Sequence, residues 1–359
     1  MEQPKGFVDV DHPIHFCKLN KAIYDLKQAP RAWFDKFKSF LIAQGFIISK
    51  SDHSLFIYFF GSGVLLLLIY VDDILLIGSS EFLLSSFFKK LSTVFSMKDL
   101  GDLHYFLGIE VKHDSSTNSL VLTQSKYTVE LLQRTGMIDC KPCNTPVANG
   151  LRAPVNDGEL LSDPTEYRNI VGALQYLTLT RPDITFGVNY TFQFMHAPRT
   201  THMLLVKRIL RYLKASLGSG ITFSSGNITS LTGYSDSDWA GFPDTRKSIA
   251  GYCVFLGNSL ISWQSKKHPT VLKSSIEVEY EDLTLLAVEV MWLSTLLSEL
   301  NVPLETPYTL YCDMMEREHL QPIQYFILGL NTLRWITILF VICLKLTSCP
   351  LPTFLHRSS

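Results

Sequence analysis

The sequence is poor in charged residues and has no excess of either sign. Charged residues make up 18% of the 359 positions, and the net charge is −1. Nucleic-acid enzymes usually present a basic surface, so this balance argues mildly against that class, local clusters aside. Apolar residues make up 47% of the chain, which excludes extensive disorder and allows a sizeable buried core.

Signals for secretion, membrane insertion and disulfide bonding are also missing. The N-terminus reads MEQPKGFVDVDHP, without the basic region and apolar run of a signal peptide. The strongly apolar stretches at 64–68 and 335–344 are shorter than the roughly 20 residues that cross a bilayer. The seven cysteines are odd in number and scattered, which gives no disulfide framework and indicates a reducing compartment.

An acidic dipeptide lies between two strongly apolar segments in the first third of the chain. The segments at 64–70 and 74–77 predict a β-hairpin with Asp72 and Asp73 at its tip. The surrounding pattern predicts further elements: a helix at 21–44 with a turn near Pro30, a strand at 54–60, a helix at 81–95 and a strand at 105–112.

Two carboxylates beside apolar strands are costly unless they are neutralised, and Mg²⁺ prefers carboxylate and phosphate oxygens. A pair of such ions can activate a primer 3′ hydroxyl and stabilise the leaving pyrophosphate. A solvated Asp-Asp turn is the simpler interpretation, and for the dipeptide alone it is the favoured one.

The flanking motifs favour the metal-binding interpretation over the solvated turn. YVDD resembles the catalytic motif of reverse transcriptases, while LNKAIYDLKQAPRAWFDKF and LGDLHYFLGIEV resemble segments of the copia-type LTR retrotransposon enzymes. The resemblance implies that Asp72 and Asp73 bind Mg²⁺ or Mn²⁺, and that Gln28 and Arg31 lie near the incoming dNTP or the template. It also implies an RNA template and a DNA primer as partners. Asp25 departs from the family pattern, which has glycine there.

The beginning of the chain bears on activity. In the family, a segment with another catalytic aspartate precedes MEQPKGF, and that segment is not part of this sequence. We therefore expect no polymerisation by this chain alone.

A second set of carboxylates is dispersed over the later part of the chain. After a linker rich in Pro, Asn, Gly and Asp at 144–163, the pattern predicts helices at 167–179 and 201–213, then strands from 230. A long helix at 275–300 and a short strand TLYCD follow. Ribonuclease H chemistry needs carboxylates converging from separate elements on two metal ions. The candidates are Asp236 and Asp238 on one strand, Glu279 on the long helix and Asp313 after the last strand. Singly, each would be a solvated charge.

Together, YSDSDWAG, RKSIAGYCVFLGNSLISWQSKK, SSIEVEY and LYCD resemble the ribonuclease H of copia-type elements. The resemblance implies that Asp236, Glu279 and Asp313 bind metal and that an RNA–DNA hybrid is the substrate. It does not decide whether Asp238 is also a ligand. Lys207, Arg208, Arg211 and Lys214 form a basic helix face, and Lys266, Lys267 and His268 form a smaller cluster. Contact with phosphates and simple solvation are equally good interpretations of both. Cys140 and Cys143 are not accompanied by a second ligand pair, so we predict no zinc site.

The family pattern ends abruptly after Asp313. With synonymous codons chosen freely, 321–340 can be shifted in frame to read TNPVFHLGTKHIEMDYHF, which resembles the segment expected there. We therefore interpret 314–359 as a frameshifted tail, and expect it to pack little and not to anchor the protein in a membrane.

These observations predict an α+β protein with four parts: a palm and thumb fragment of a polymerase at 1–115, a connection region at 116–229, a ribonuclease H-like mixed α/β domain at 230–313 that lacks its last elements, and the tail. The predicted function is that of an inactive relic of a reverse transcriptase and ribonuclease H. The alternatives are a non-catalytic nucleic-acid-binding or interaction protein with the same fold, and a membrane protein that uses the apolar tail. The resemblance implies a cytoplasmic virus-like particle or the nucleus as location.

Overall fold

This computed structural model describes residues 2–18, 29–61, 63–148, 153–224, 226, 228–312 and 353–357. Within those ranges the chain is an α+β protein, as predicted, and its strands form three sheets. The helices are α1 Ala29–Ala43, α2 Glu81–Ser92, α3 Ser125–Arg134, α4 Thr165–Leu177, α5 Thr185–Phe192, α6 Thr200–Ala215 and α7 Ser275–Glu299. The strands are β1 Ile47–Ile48, β2 Leu55–Phe60, β3 Gly63–Tyr70, β4 Asp73–Gly78, β5 Met97–Asp102, β6 Tyr105–Phe106, β7 Ile109–Asp114, β8 Ser119–Thr123, β9 Ile221–Ser224, β10 Leu231–Asp238, β11 Ile249–Leu256, β12 Ser259–Lys267, β13 Thr309–Tyr311 and β14 Thr353–Arg357.

The first sheet has the strand order β1-β2-β3-β4-β14-β5. Its central strands are apolar on both faces, and Leu65 to Leu68 are all buried. Such runs need cover on both sides. On one side, Phe37 and Leu41 of α1 and Leu84 of α2 share a core with Leu67. The side chain of Ser80 accepts a hydrogen bond from the backbone N–H of Leu83, which caps the start of α2.

The second sheet, of order β6-β7-β8-β9, connects distant parts of the chain. The hairpin of β7 and β8 spans position 115, where the sequence placed a boundary, and β8 pairs with β9 across about a hundred residues. Helices α3 to α6 lie between those two strands in the chain and share a separate core around Tyr167. One apolar core, by contrast, includes residues from all three sheets. The polymerase-like and later parts therefore pack together.

The third sheet, of order β12-β11-β10-β13, is antiparallel except for the parallel pair of β10 and β13. Helix α7 packs against β10 and β11. Gly233 allows this close approach, because a Cβ atom there would lie 2.7 Å from Leu286 Cδ1. None of the helices described is long and apolar enough to cross a membrane.

The described end of the tail differs from the expectation that it packs little. Strand β14 lies between β4 and β5, and pairs antiparallel with both. Leu355 is fully buried among the apolar residues of the first sheet. An extended segment pairs its backbone groups with the exposed edges of neighbouring strands, and an apolar residue within it packs into the core. Neither interaction depends on the origin of the segment. The intervening residues 313–352 lie outside the described part.

Candidate active sites

The predicted acidic hairpin is present, and its geometry follows from the strands around it. Strands β3 and β4 pair in a register that places Tyr70 opposite Asp73, so Val71 and Asp72 form a two-residue turn. Ile69 and Ile74 are buried on either side. Both carboxylates therefore lie at the end of an apolar hairpin, and both are half-buried. Val71 has φ of 55°, a conformation that a β-branched residue adopts only with strain.

Asp73 contacts the tail. Its Oδ1 atom lies 2.9 Å from Nδ1 of His356, and 27% of the Asp73 side chain remains exposed. Of the two residues predicted to lie near the nucleotide, Arg31 is exposed in the first turn of α1. Gln28 lies outside the described residues, and so does Asp25.

The second acidic pair lies on β10. Asp236 and Asp238 alternate with Ser235 and Ser237, so they are on one face of the sheet. Both line a cavity of about 590 Å³, whose lining also includes the aromatic side chains of Tyr234, Tyr311 and Trp263. Asp236 is opposite Gly251, and Gly251 is opposite Ser265. A Cβ atom on Gly251 would meet only backbone atoms, at 3.6 and 3.9 Å, so the floor of the cavity is open there.

Glu279 is not brought into this cavity. It lies half-exposed in the second turn of α7, the helix that packs on the Gly233 face of β10, whereas Asp236 belongs to the opposite face. Asp313 is outside the described residues. In the part of the chain that the structure describes, no group of three His, Cys, Asp or Glu residues is arranged to hold a metal ion. The structure thus places Asp236 and Asp238 in one cavity, whose lining does not include Glu279.

A buried ionic cluster beside this site was missed by the sequence reasoning. His268, which we grouped with two lysines as a basic surface, is 5% exposed. Its Nε2 lies 2.7 Å from Asp282 Oδ1, and its Nδ1 lies 3.0 Å from Glu281 Oε2. The Asp282 side chain is 2% exposed, whereas the Glu281 side chain is 49% exposed, so His268 and Asp282 form the buried pair of this cluster.

The charges around Asp282 explain its titration. Burial raises the pKa of the Asp282 carboxyl to about 6, His268 acts against this, and the charges of Glu281 and Asp236 add to it. A signal was available in the sequence, because Asp282 is four residues from both Val278 and Leu286, on the apolar stripe of α7. A carboxylate in that stripe needs a partner.

The basic face of α6 is partly used within the protein. Arg208 Nη2 donates to Thr145 Oγ1 and Arg211 Nε donates to the Lys141 carbonyl, both at 2.7 Å. Cys143 lies in the same loop, and its thiol donates to the Arg208 carbonyl. These two arginines therefore hold the loop after α3 rather than projecting freely.

The comparisons with known proteins concern the first part of the chain most directly. The family model for reverse transcriptases (RNA-dependent DNA polymerases) matches residues 1–149. The chain is 48% identical over 313 residues to the retrovirus-related Pol polyprotein from transposon RE1 of Arabidopsis thaliana, which covers 87% of this chain and 21% of that polyprotein. It thus spans about a fifth of that relative.

Two shorter relatives are covered almost completely. An uncharacterized mitochondrial protein of Arabidopsis thaliana is 49% identical over 64% of this chain and 94% of its own length. A putative transposon Ty5-1 protein of Saccharomyces cerevisiae is 31% identical over 78% of this chain and 91% of its own length. No solved structure is significantly similar.

Proposed function

Because the chain belongs to the copia-type retrotransposon Pol family of reverse transcriptases, we propose that it carries the acidic hairpin of an RNA-directed DNA polymerase and a ribonuclease H-like domain. Its partners on this proposal are an RNA template, a DNA primer, dNTPs and an RNA–DNA hybrid. The observation that carries the proposal is the placement of Asp72 and Asp73 at the turn of an apolar hairpin within the matched residues.

The two carboxylates at this turn are of the ligand type that binds a magnesium ion. Mg²⁺ is commonly held by one or two carboxylates together with substrate phosphates, and its remaining positions keep water. Asp72 and Asp73 would hold it, and the bound ion would neutralise charge on the phosphates of the incoming nucleotide. Their partial exposure leaves room for that ligand, whereas full burial would exclude it.

The ribonuclease H assignment is supported by the third sheet. Strands β10 to β12 form an antiparallel meander, α7 crosses the sheet, and β13 returns parallel to β10 with Tyr311 opposite Tyr234. Asp236 follows Tyr234 by two residues, and Asp313 follows Tyr311 by two residues in the sequence. We assign Asp236, Glu279 and Asp313 to a Mg²⁺ or Mn²⁺ site, with Asp238 beside it.

Cleavage of a labelled RNA–DNA hybrid tests this assignment. We expect weak cleavage with Mn²⁺ or Mg²⁺, because Glu279 does not line the cavity that contains Asp236, and a displacement of about 1 Å can cost two orders of magnitude in rate. Asp236→Asn should abolish it, and Asp139→Asn, which changes an exposed carboxylate after α3, should not. Cleavage that persists unchanged in Asp236→Asn would show that the assignment is wrong.

A non-catalytic nucleic-acid-binding protein with this fold is the second candidate. It is favoured by the contact of Asp73 with His356 and by the fact that Glu279 does not line the cavity that contains Asp236. The distinguishing result is binding of a fluorescent hybrid with no cleavage in wild type at any concentration of either metal. Binding should then weaken steeply as salt rises, since phosphate contacts release counterions.

A further inference from the structure

The tail strand β14 is held on both sides within the first sheet. On one side Leu355 is opposite Ile74 and His356 is opposite Asp73 of β4. On the other side the same strand pairs with β5, with His356 opposite Lys98. Since a central strand satisfies backbone groups on both edges, β14 is a structural member of the sheet and not a loosely attached end.

The register decides which side chain reaches the acidic turn. Leu355 is fully buried in the core below the hairpin. Successive residues of a strand point to opposite faces of the sheet. Because Leu355 points into the core, His356 points to the other face, together with Asp73, its partner in the register. There His356 Nδ1 lies 2.9 Å from Asp73 Oδ1. Nearly half of the His356 side chain and about a quarter of the Asp73 side chain are exposed, so the contact is accessible to ions in solution.

We propose that β14 is an intramolecular inhibitor of the acidic hairpin: docking of the strand places His356 on Asp73 and weakens the binding of a divalent cation there. The inference rests on the metal site of the proposed function. The imidazole N–H occupies an oxygen lone pair that a metal ion would otherwise use. The contact and full coordination by Asp73 therefore compete. Asp72 lies in the turn and is not opposite His356, so the contact weakens cation binding and does not abolish it.

Titration of Mn²⁺ into the full chain, with free Mn²⁺ followed by electron paramagnetic resonance, tests the competition. Removing an accessible polar contact of this kind should tighten binding about two- to fivefold in His356→Ala. His196→Ala, which removes an exposed histidine after α5, is the matched control and should bind as wild type does. The gain should vanish in the double variant His356→Ala with Asp73→Asn, because the competing oxygen is then gone.

The outcomes separate the two proposals. If Asp73→Asn weakens binding but His356→Ala equals wild type, the metal site stands and the inhibitory role of β14 is refuted. If Asp73→Asn changes nothing in any background, including Leu355→Asp, which should expel the strand, the metal site itself is refuted and the inhibition with it. Tighter binding in both His356→Ala and Leu355→Asp, each dependent on Asp73, supports the proposal.

Discussion

Replacement of His268 should leave the buried carboxylate of Asp282 without its partner. The side chains of His268 and Asp282 are only 3% and 2% exposed, and Asp282 Oδ2 has no hydrogen-bond partner among the described residues. His268→Ala removes the N–H that faces Asp282 Oδ1, so the carboxylate is left buried and unpaired. Breaking a buried ion pair by removing one partner costs about 3–5 kcal/mol. We expect a loss of that size in the free energy of unfolding at pH 7.5.

The loss should depend on pH in a defined direction. The pKa of Asp282 is about 6 in the folded protein and 3.8 ordinarily, so the folded state binds the proton more tightly. The stability from this proton is therefore fully present below about pH 3.8 and is lost as the pH rises through 6. At about 1.36 kcal/mol per pKa unit the difference amounts to about 3 kcal/mol. Without His268 the pKa should be higher still, so the variant regains part of its stability at pH 5.

Urea denaturation at pH 5 and pH 7.5 measures both effects. A cycle of His268→Ala, Asp282→Asn and the double variant should give a coupling energy of about 2–3 kcal/mol at pH 7.5. His113→Ala is the control, because that exposed histidine makes only long contacts of 3.4 Å to Ser115 and Asn118. Its cost should stay within about 0.5 kcal/mol. A cost of under about 1 kcal/mol for His268→Ala, an equal cost at both pH values, or additivity of the two substitutions would show that His268 and Asp282 do not form a stabilising buried pair.

Four further substitutions test the backbone and the tail. Gly108→Ala should cost more than about 3 kcal/mol in chemical denaturation, because φ is +74° and the new Cβ would overlap the Tyr176 hydroxyl. Gly101→Ala, at φ of +79° in open space, should cost only about 1–2 kcal/mol, and equal losses would show that the overlap is relieved. Val71→Gly should raise the melting temperature by a few degrees, since it removes the strain at φ of 55°; a lower temperature would contradict this. Leu355→Ala should cost about 2–5 kcal/mol, whereas unchanged stability would mean that β14 does not pack.

The sequence alone determined the local elements. The acidic hairpin, α2 and the long helix α7 all occur where the patterns predicted them. The predicted strand at 105–112 is instead two strands, because Leu107 and Gly108 have positive φ and break it. Apolar runs, turn residues and caps act between neighbours in the chain, so they can be identified in the sequence itself.

Only the tertiary structure decided the contacts between distant segments. It paired β8 with β9, placed His268 against Asp282, inserted β14 beside Asp73, and left Glu279 out of the lining of the cavity that contains Asp236. Each of these depends on which surfaces meet after the strands and helices have formed. A histidine is the same residue in the sequence whether its side chain is solvated or, like that of His268, buried against a carboxylate. Its charge state and role follow from the partners that packing supplies, and local periodicity does not specify those partners.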